Sequence, residues 1–335
     1  MQEVISLAHG NGGKLTQELI RDIFLPRFNN PFLAPLADSA IFKIDRKKLA
    51  FTTDSYVIKP LFFSGGDIGK LAISGTVNDL AVMGAKPIFI SCGLIIEEGF
   101  PLSTLKKIIF SMEKTARKAK VCVITGDTKV VEKGSADGIF INTSGIGIIP
   151  PGINLGLEYV KIGDCIVISG TVGDHSVAIL SEREELGFKE SVRSDCNPLY
   201  SLVEKLKPYW EGIKFMRDPT RGGLAGVLNE VVRGQKFSIE LWEESIPLRE
   251  ETVAISELLG MDPLYLANEG KIIFFIKPER AEHILQVLHS HPLGKKASII
   301  GRVVSQPLGK VYLKTSVGTK RVLDMFIEDQ LPRIC

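Results

Sequence analysis

The sequence predicts an α/β (α+β) protein with two domains, and three observations lead to that prediction. The chain has 335 residues, whereas a typical domain has roughly 150. Hydrophobic residues make up 44% of the chain, charged residues make up 24%, and 32 residues are glycine, which is typical of folded α/β proteins with many turns. Segments with the two-residue period of strands alternate with segments of helical period. The chain is therefore long enough and apolar enough for two separate cores.

The first half of the chain predicts a β-rich N-terminal domain. Its predicted strands are rich in Ile, Val, Phe and Thr and are bounded by Gly, Asp or Pro. They cover residues 40–44, 49–53, 87–96, 121–125 and 138–149. One helix is expected to begin near Asp67, and apolar residues between 105 and 119 recur at the spacing of a second helix. The sequence IPPG at 149–152 ends this pattern, so the first domain is predicted to span residues 1–152.

The second half predicts a mixed-sheet α/β domain over residues 153–323. Strand signals lie at 164–169, 237–241, 271–276, 298–304 and 311–314, and helix signals at 175–186, 198–206, 220–232, 250–259 and 279–289. His175 is expected to cap the first of these helices. Residues 324–335 are too few for another packed element and contain Pro332. We expect them to form a flexible C-terminal tail.

Charge and hydropathy exclude several classes of protein. The 41 basic and 39 acidic residues give a net charge of +2, too little to attract nucleic acid or an anionic membrane. The longest strongly apolar stretch, residues 87–96, is well short of the roughly 20 residues that cross a bilayer. The first residues lack the basic and apolar regions of a secretory signal. We therefore predict a cytoplasmic location.

The cysteines also fit a cytoplasmic protein. The cysteines, at positions 92, 122, 165, 196 and 335, are odd in number and form no C-x-x-C pair. This pattern argues against both a disulfide framework and a zinc site. Except for Cys335, they lie in apolar segments, where we expect them to be buried.

A glycine-rich segment, HGNGGK at residues 9–14, precedes a helical pattern. The backbone N–H groups of Gly12 and Gly13, the start of the helix and the Lys14 ammonium would together favour a phosphate group. The segment is neither a Walker A loop nor a G-x-G-x-x-G motif. An ordinary tight turn explains it equally well.

Acidic residues indicate a second kind of site. Asp54 and Asp127 are each placed at the end of a predicted strand, where α/β proteins usually bind ligands. On the helix that begins near Asp67, Asp79 lies beside Ile68 and would be partly buried. A buried carboxylate requires a cation, hydrogen bonds or a metal ion, and a set of carboxylate oxygens suits magnesium. Helix caps and turns remain the alternative for each acid taken singly.

The second half of the chain carries two further acidic sites. Asp218 precedes a helix that begins with two glycines, so that a backbone or a phosphate could approach closely, although simple capping is an alternative. Glu269 lies in the segment ANEGK. Together with the acids of the first half, these residues predict an ATP site divided between the two domains.

Longer motifs make the comparison with a known family specific. The runs TTDSYVIKPLFFSGGDIGKLAISGTVNDLAVMGAKP, GDTK, RDPTRGGLA and NEG resemble the ATP-binding superfamily of aminoimidazole ribonucleotide synthetase, selenophosphate synthetase and thiamine-phosphate kinase. Within it, HGNGGK near the start and PRIC at the end resemble the HypE family of hydrogenase maturation proteins. The resemblance covers nearly the whole chain. It implies the two-domain aminoimidazole ribonucleotide synthetase-like fold and a homodimer paired through the N-terminal domains, with ATP near the dimer groove.

The resemblance also implies roles for individual residues. Magnesium would be held by Asp54, Asp79, Asp127 and Asp218, with Asp38 as a further candidate. The residues implied in ATP binding are Gly12, Gly13, Lys14, Asp67, Lys70, Asn78, Asp79 and Thr128. Glu269 is the first choice for general base and Lys129 the second, because a lysine with its usual pKa of roughly 10.4 is charged at neutral pH unless its site is dry or cationic. The sequence leaves this choice open.

The last residue of the chain is the thiol Cys335. The eleven residues after Asp324 could reach up to about 36 Å when extended. The resemblance implies that the carbamoyltransferase HypF places a carbamoyl group on this sulfur and that ATP-dependent dehydration turns it into a thiocyanate. The cyanide would then pass to the iron of a [NiFe] hydrogenase, held by the HypC–HypD complex. Arg333 is predicted to offset the terminal carboxylate, which would otherwise raise the thiol pKa.

Two other functions compete with carbamoyl dehydration. A selenophosphate-synthetase-like enzyme would make a small phosphorylated metabolite, but such enzymes carry a reactive Cys or selenocysteine in the N-terminal glycine loop, and the first cysteine here is Cys92. A carrier without catalysis would hold a group on the thiol, but would have no use for the acids and the phosphate-binding segment. Both are weaker explanations of the sequence than an enzyme that acts on its own Cys335.

Overall fold

The computed structural model describes residues 13–28, 30–32, 34–183, 192–325 and 333–335. Gly12, which the sequence places in the phosphate-binding segment, lies outside the described residues. Of the predicted tail, residues 324, 325 and 333–335 are described. The flexibility expected for the whole tail stays a prediction.

The N-terminal half folds around a mixed β-sheet. Its strands are β1 (Ala40–Ile44), β2 (Lys47–Tyr56), β3 (Phe62–Phe63), β4 (Gly66–Asp67), β5 (Lys86–Glu97), β6 (Cys122–Val131) and β7 (Ile139–Ile149). Within the described residues this first sheet has five strands in the order β1-β2-β7-β5-β6, and β3 pairs with β4. β5 and β6 run parallel, and the other neighbours run antiparallel.

Two strands are longer than the sequence predicts, which moves two predicted site residues. Pairing of β2 with β7 continues to Tyr56, and pairing of β6 with β5 continues to Val131. Asp54 and Asp127 therefore lie inside strands, and the expectation that both stand at strand ends is wrong. The ladder hydrogen bonds that a neighbouring strand supplies extend each strand beyond its apolar run.

Helices cover one face of the first sheet. The helices of this half are α1 (Lys14–Leu19), α2 (Leu25–Phe28), α3 (Ile68–Val82) and α4 (Leu102–Ala119), with a π-helical turn at Ile20–Phe24. α3 begins where the sequence predicts, because the Asp67 carboxylate caps it by accepting hydrogen bonds from the Gly69 and Lys70 N–H groups. α3 contacts β2 and β7 on one side and α4, α6 and β9 on others, which makes it the element between the two domains.

The opposite face of the first sheet is not covered within the described chain. Along the edge strand β6, residues 122–130 are exposed, and Phe89 and Ile95 of β5 also face outward. Cys122 is consequently exposed, whereas Cys92 and Cys196 are buried and Cys165 is intermediate. The prediction that Cys122 is buried is wrong, because an apolar strand at a sheet edge is covered only if another surface packs on it.

The C-terminal half folds around a second mixed sheet. Its strands are β8 (Cys165–Ile168), β9 (Ile213–Arg217), β10 (Ser238–Trp242), β11 (Ile273–Ile276), β12 (Ser298–Val304), β13 (Val311–Lys314) and β14 (Lys320–Val322). Its helices are α5 (Asp174–Arg183), α6 (Tyr200–Lys205), α7 (Gly223–Val232), α8 (Glu250–Leu258) and α9 (Pro278–His289). Among the described residues this sheet has seven strands in the order β14-β13-β10-β12-β8-β11-β9. β8 and β11 are buried almost throughout, which fits their continuous apolar sequences.

Within the described part of the chain, no helix has the length and apolar character needed to cross a bilayer. This agrees with the short apolar runs of the sequence.

Candidate active site

A cavity of about 850 Å³ lies between the two domains. A volume of this size is within the usual range for small-molecule sites, which is roughly 300–1,000 Å³. The charged and thiol side chains in its lining are Asp38, Asp54, Asp79, Arg217, Asp218, Arg221, Glu230, Glu269 and Cys335, together with Arg21 and Arg233. The cavity thus brings together acids from both domains and the last residue of the chain.

The wall from the first domain depends on the alternation of β2. Thr52, Asp54 and Tyr56 share one face of this strand because successive side chains point to opposite faces. Asp79 on α3 meets that face, where its Oδ2 accepts a hydrogen bond from Thr52 Oγ1 at 2.6 Å. Tyr56 donates its hydroxyl proton to Asp54 Oδ2 at 3.2 Å. Gly75 makes this packing possible, since a Cβ there would collide with the Tyr56 hydroxyl.

The wall from the second domain begins at the end of β9. Arg217 donates hydrogen bonds to Asp38 Oδ1 at 2.9 Å and to Glu230 Oε2 at 2.8 Å. Asp218 follows directly and is buried. Two glycines then turn the chain into α7. Gly223 has φ +61° and lies so close to the Leu266 carbonyl that any Cβ would collide with it.

Glu269 enters the cavity from the segment that precedes β11. Its neighbour Asn268 holds this segment in place by donating to the Pro219 and Leu266 carbonyls at 3.0 Å. Asn268 Oδ1 also accepts the Gly173 N–H at 2.8 Å. Glu269 itself is buried, and its backbone N–H donates to Asp195 Oδ1. The NEG segment therefore fixes the direction of the Glu269 side chain.

The carboxyl groups of the cavity favour a cation. Burial raises the pKa of Asp218 to about 8, and the neighbouring charges of Asp38 and Asp54 add to this effect. Burial, together with the Asp218 charge, also holds the pKa of Glu269 well above its usual range, and the same causes act on Asp79. Carboxylates that repel one another in a site of low polarity gain stability when a cation joins them. The site therefore favours a positively charged ligand.

The donor chemistry fits magnesium. Carboxylate oxygens are the ligands that magnesium prefers, and Asp54, Asp79 and Asp218 supply them, with Asp38 beside them in contact with Arg217. A search of the described residues found no set of three His, Cys, Asp or Glu side chains already converging on one metal position. The acids thus share the cavity without forming a closed coordination shell. This fits an ion that also has phosphate and water ligands.

The terminal thiol residue lies in the same cavity wall. The Val57 N–H donates to the Cys335 carbonyl at 3.1 Å, and the nearby charge of Cys335 raises the pKa of Arg221, an effect to which Asp54 and Glu269 add. Arg333, which the sequence predicts to offset the terminal carboxylate, pairs with Asp137 and donates to the Val57 carbonyl at 2.6 Å. Arg221 is an arginine of the cavity on which the charge of Cys335 acts.

Other predicted site residues lie outside this cavity. Asp127, Thr128 and Lys129 lie on the exposed edge strand β6, where Lys129 Nζ binds Asp127 Oδ2 at 2.7 Å. That hydrogen bond lowers the pKa of Asp127. Asp127 and Lys129 line a smaller cavity of about 410 Å³ beside Ser55. Within this subunit the structure therefore does not bring the GDTK segment to Cys335.

The predicted ATP-binding residues of α3 also have other contacts. Asp67 caps the helix, and Lys70 Nζ donates to the Gly65 carbonyl at 2.7 Å. The Asn78 amide joins the domains, because it donates to the Asn197 carbonyl at 3.1 Å and accepts the Leu199 N–H at 2.8 Å. Asn78 therefore lies against the second domain. The ATP-binding role that the resemblance implies for Asp67, Lys70 and Asn78 stays a prediction.

The start of the described chain approaches the cavity from the side. Gly13 is buried, and Lys14 is exposed at the start of α1. One turn later, Thr16 and Gln17 line the cavity. Among the described residues, the predicted phosphate-binding segment therefore reaches the cavity through the turn that follows Lys14.

Several residues of the site are not among those predicted from the sequence. Arg217 and Arg221 flank Asp218 in the RDPTR segment, and this spacing was the available signal for paired cations. Thr52 and Tyr56 lie two residues on either side of Asp54, so strand alternation could have placed them on its face. Either signal identifies a site residue only if β2 and the end of β9 are known to face the same cavity. That arrangement depends on the tertiary fold.

Comparisons with known proteins define first the class and then the family. Residues 36–149 match the N-terminal domain model of AIR synthase related proteins, and residues 161–314 match the C-terminal domain model. The chain is thus an AIR synthase related protein with both domains. It is 47% identical to the carbamoyl dehydratase HypE of Bradyrhizobium diazoefficiens over 99% of this chain and 96% of that protein. The chain belongs to the HypE family of carbamoyl dehydratases.

Solved structures agree with this assignment. A hydrogenase maturation protein HypE crystallised in complex with ATP is 45% identical, with a TM-score of 0.83 over 99% of this chain and 100% of that one. A chain from the crystal structure of a HypE–HypF complex is 47% identical, with a TM-score of 0.87 over 92% of this chain and 99% of that one. The predicted fold class and family are confirmed.

Proposed function

We propose that the cavity between the domains and Cys335 form one catalytic site. The chain is an ATP-dependent carbamoyl dehydratase, which converts a carbamoyl group on the Cys335 sulfur into a thiocyanate and so supplies the cyanide ligand of the iron in [NiFe] hydrogenase. One observation carries the assignment of the site: Cys335 lies in the wall that also holds Asp54, Asp218 and Glu269. The thiol and the cation-binding acids therefore share one space.

The chemistry requires removal of one oxygen and two protons from the carbamoyl group. The S–C(=O)–NH2 group becomes S–C≡N, so the C–O bond breaks and both N–H bonds give up their protons. ATP, when bound, supplies the phosphoryl group that leaves with the oxygen as phosphate. The S–C bond stays intact throughout, so the product remains on Cys335.

The residues of the cavity have distinct tasks in this proposal. Asp54, Asp79 and Asp218 would hold magnesium, with Asp38 close to them. Arg221 lies beside Cys335 and would neutralise negative charge that develops near the carbamoyl oxygen. Arg217 is fixed by Asp38 and Glu230 and keeps the acid cluster partly compensated.

Glu269 is the base that the geometry favours. It lines the cavity with Cys335, whereas Lys129 lies on the exposed edge strand of the same subunit. In the free protein, burial and the Asp218 charge hold the pKa of Glu269 well above its usual range, so the group retains its proton. A cation bound at the acids would remove this repulsion and lower that pKa. Glu269 would then accept a proton only when the site is loaded.

The proposal includes partners and an assembly. HypF would deliver the carbamoyl group to Cys335, and the HypC–HypD complex would accept the cyanide. A homodimer would pair through β6 and the outward face of the first sheet, where Val123, Ile124 and Val130 are exposed. The cytoplasm, predicted from the sequence, would be the place of the reaction.

Mass spectrometry of the intact protein tests the reaction. The protein is incubated with HypF and carbamoyl phosphate, with and without ATP, and is weighed after each step. We expect the gain of one carbamoyl group, followed in the dehydration step by the loss of one water. Cys335→Ala should show neither change. A protein that stops at the carbamoyl group under every condition would be a carrier, and ATP turnover that is unaffected by Cys335→Ala would indicate a selenophosphate-synthetase-like enzyme.

Glu269→Gln separates the base from the thiol in the same assay. Because the amide cannot accept a proton, we expect the carbamoyl group to be loaded but water loss to slow by at least about a hundredfold, the lower range for general base catalysis. Glu240→Gln is the matched control, since Glu240 is a buried glutamate of the second sheet that pairs with Arg302 and Lys320. Unchanged water loss in Glu269→Gln would reassign the base.

A further inference from the structure

The last three residues of the chain occupy a defined site on the first domain. The Val57 N–H donates to the Cys335 carbonyl at 3.1 Å, and the Lys59 N–H donates to the Arg333 carbonyl at 3.3 Å. These two hydrogen bonds show that residues 333–335 run antiparallel to residues 57–59. The side chain of Ile334 is buried in the main hydrophobic core. We call residues 57–59 with His175 the tail site.

His175 forms the buried part of the tail site. The sequence analysis expected it to cap α5, but it lies inside that helix, fully buried, and its Nε2 is 2.8 Å from the Ile334 carbonyl oxygen. Its Nδ1 is 2.8 Å from Ser194 Oγ. The ring also packs edge-to-face against Phe63, with 5.5 Å between the ring centres. The capping prediction is therefore wrong, and the imidazole bridges the tail and the 192–200 segment.

The hydrogen bonds of His175 determine its protonation. A carbonyl oxygen can only accept, so Nε2 carries the proton that lies between it and Ile334. Burial lowers the pKa of His175, which favours the neutral ring. In the neutral ring Nδ1 accepts the hydroxyl proton of Ser194, whose Oγ is itself an acceptor for the Cys196 N–H at 3.1 Å. The hydrogen bonds therefore all donate in the same direction, from the Cys196 N–H through Ser194 and His175 to the Ile334 carbonyl.

These contacts fix the backbone on both sides of the thiol. The Ile334 carbonyl belongs to the peptide bond that precedes the Cys335 Cα, and His175 holds it. The terminal carboxyl group of Cys335 follows the same Cα, and the Val57 N–H donates to one of its oxygens. With the groups on both sides of this Cα held, the position of the sulfur depends mainly on one side-chain torsion. Such restriction is what a reaction between bound groups requires.

The tail site is also joined to the glycine-rich loop that precedes α3. The Ser194 N–H donates to the Ser64 carbonyl at 2.9 Å. Gly65, with φ +94°, lies against the backbone of Ser194 so closely that a Cβ would come within 2.8 Å of its carbonyl oxygen. Lys70 Nζ donates to the Gly65 carbonyl. Ser194, the Nδ1 partner of His175, is therefore held in place by this loop.

We propose that His175 is the positioning residue of the carrier thiol: by donating from Nε2 to the Ile334 carbonyl, it holds Cys335 at the cavity during dehydration. This inference rests on the proposed function for its catalytic consequence. The exposed contacts of the tail act further from the thiol, because Arg183 and Asp137 bind Arg333. His175 is the side chain that binds the peptide group next to Cys335.

Paired variants at position 175 test the proposal in the full-length protein. His175→Phe keeps a ring against Phe63 but removes the donor, whereas His175→Gln keeps an N–H donor at a similar reach. His289→Phe is the matched control, because His289 Nε2 also contacts a backbone carbonyl, that of Ala297, at 2.8 Å. The first measurement is the rate at which iodoacetamide alkylates Cys335, followed in the C-terminal peptide so that Cys122 does not interfere.

We expect alkylation of Cys335 to be roughly tenfold faster in His175→Phe, the factor for losing one net hydrogen bond, and to return towards the wild-type rate in His175→Gln. His289→Phe should match the wild type. If His175→Phe does not fold, Ser194→Ala takes its place, since it frees the ring from its Nδ1 partner, and a smaller increase is expected. Equal alkylation rates in wild type and variants overturn the proposal, as does an equal increase in His175→Phe and His175→Gln.

The second measurement links the tail site to the reaction. Protein already carbamoylated by HypF is mixed with ATP, and loss of water is followed in a single turnover. We expect His175→Phe to slow this step while loading by HypF stays normal, because the substitution leaves the thiol itself intact. If the wild type itself loses no water, the proposed function fails, whereas the alkylation result still decides whether His175 holds the tail.

Discussion

The two sheets of the molecule differ in what covers them. In the second sheet, β8 and β11 are buried on both faces, and their sequences are nearly continuous runs of Ile, Val and Phe. In the first sheet, α3 and α4 cover one face, while the face that carries Phe89 and Ile95 is open and β6 is exposed along its length. Within the part of the chain that the structure describes, the second sheet is therefore covered on both faces at β8 and β11, whereas one face of the first sheet is exposed.

The two domains also supply different groups to the candidate site. Both supply acids to the cavity, but the second domain places Asp218 and Glu269 on segments that end or begin buried strands. The first domain places the tail site at residues 57–59, next to the open sheet. The tail contacts both domains, because His175 of the second domain binds the Ile334 carbonyl while residues 57 and 59 of the first domain bind Cys335 and Arg333.

The largest expected contrast between the sheets is in stability. Phe274 of β11 is fully buried, so Phe274→Ala should lower the free energy of unfolding by about 3–5 kcal/mol. Phe89 of β5 is 42% exposed in the subunit, and Phe89→Ala should cost much less. The measurement is urea unfolding at several protein concentrations. A homodimer through the open face makes the Phe89→Ala cost shrink on dilution, and equal costs at both positions would contradict the comparison.

A pH-dependent effect of intermediate size is expected at Asp218. Its folded pKa of about 8 lies above the usual unfolded value of roughly 3.9, so the folded state binds the proton more tightly. Stability from this group is present below pH 4 and is lost as pH rises towards 8. Asp218→Asn should reduce this loss of stability with rising pH. It should stabilise the free protein at pH 8 by on the order of 2 kcal/mol.

Chemical denaturation at pH 5 and pH 8 checks this sign. Asp127→Asn is the control, because Lys129 lowers the pKa of the exposed Asp127 and the substitution should not stabilise the protein at pH 8. An Asp218→Asn variant that is less stable than wild type at pH 8 would show that Arg217 compensates the carboxylate more than burial penalises it.

The smallest effect on folding is expected at the sheet edge. Val130 of β6 is 67% exposed, so Val130→Lys should change the free energy of unfolding of the subunit by less than about 0.5 kcal/mol. It should nevertheless prevent dimer formation, because a lysine on a pairing edge opposes association. Light scattering after size-exclusion chromatography measures the mass. Val317→Lys, at a position that is 82% exposed in the second domain, should keep the mass of the wild type.

Local patterns in the sequence were sufficient for most elements. The start of α3 follows from Asp67, because its carboxylate accepts hydrogen bonds from N–H groups two and three residues later in the chain. The predicted ranges of β2 and β6 end too early, because the last residues of these strands are held by pairing with β7 and β5 rather than by their own apolar character. The sequence places Cys122 inside because its neighbours are apolar, but β6 is exposed from residue 122 to 130.

The candidate site was predicted in part. Asp54, Asp79, Asp218, Glu269 and Cys335 do share one cavity, as the family resemblance implies. The arginines of that cavity and the role of His175 were missed, because each acts on a partner far away in the sequence: Arg217 on Asp38, and His175 on Ile334. The resemblance implies that Asn78 binds ATP, and its contacts with Asn197 and Leu199 of the second domain could not be read from the sequence.

The sequence by itself determined most of the helices, the longer apolar strands and which chemical groups are available, since capping, alternation and composition act over a few residues. Only the tertiary structure decided which acids meet, where the GDTK segment lies and how the terminal thiol is held. Those outcomes depend on strand pairing and helix packing between distant segments. Their free energy comes from burial and hydrogen bonds that exist only once the whole chain has folded.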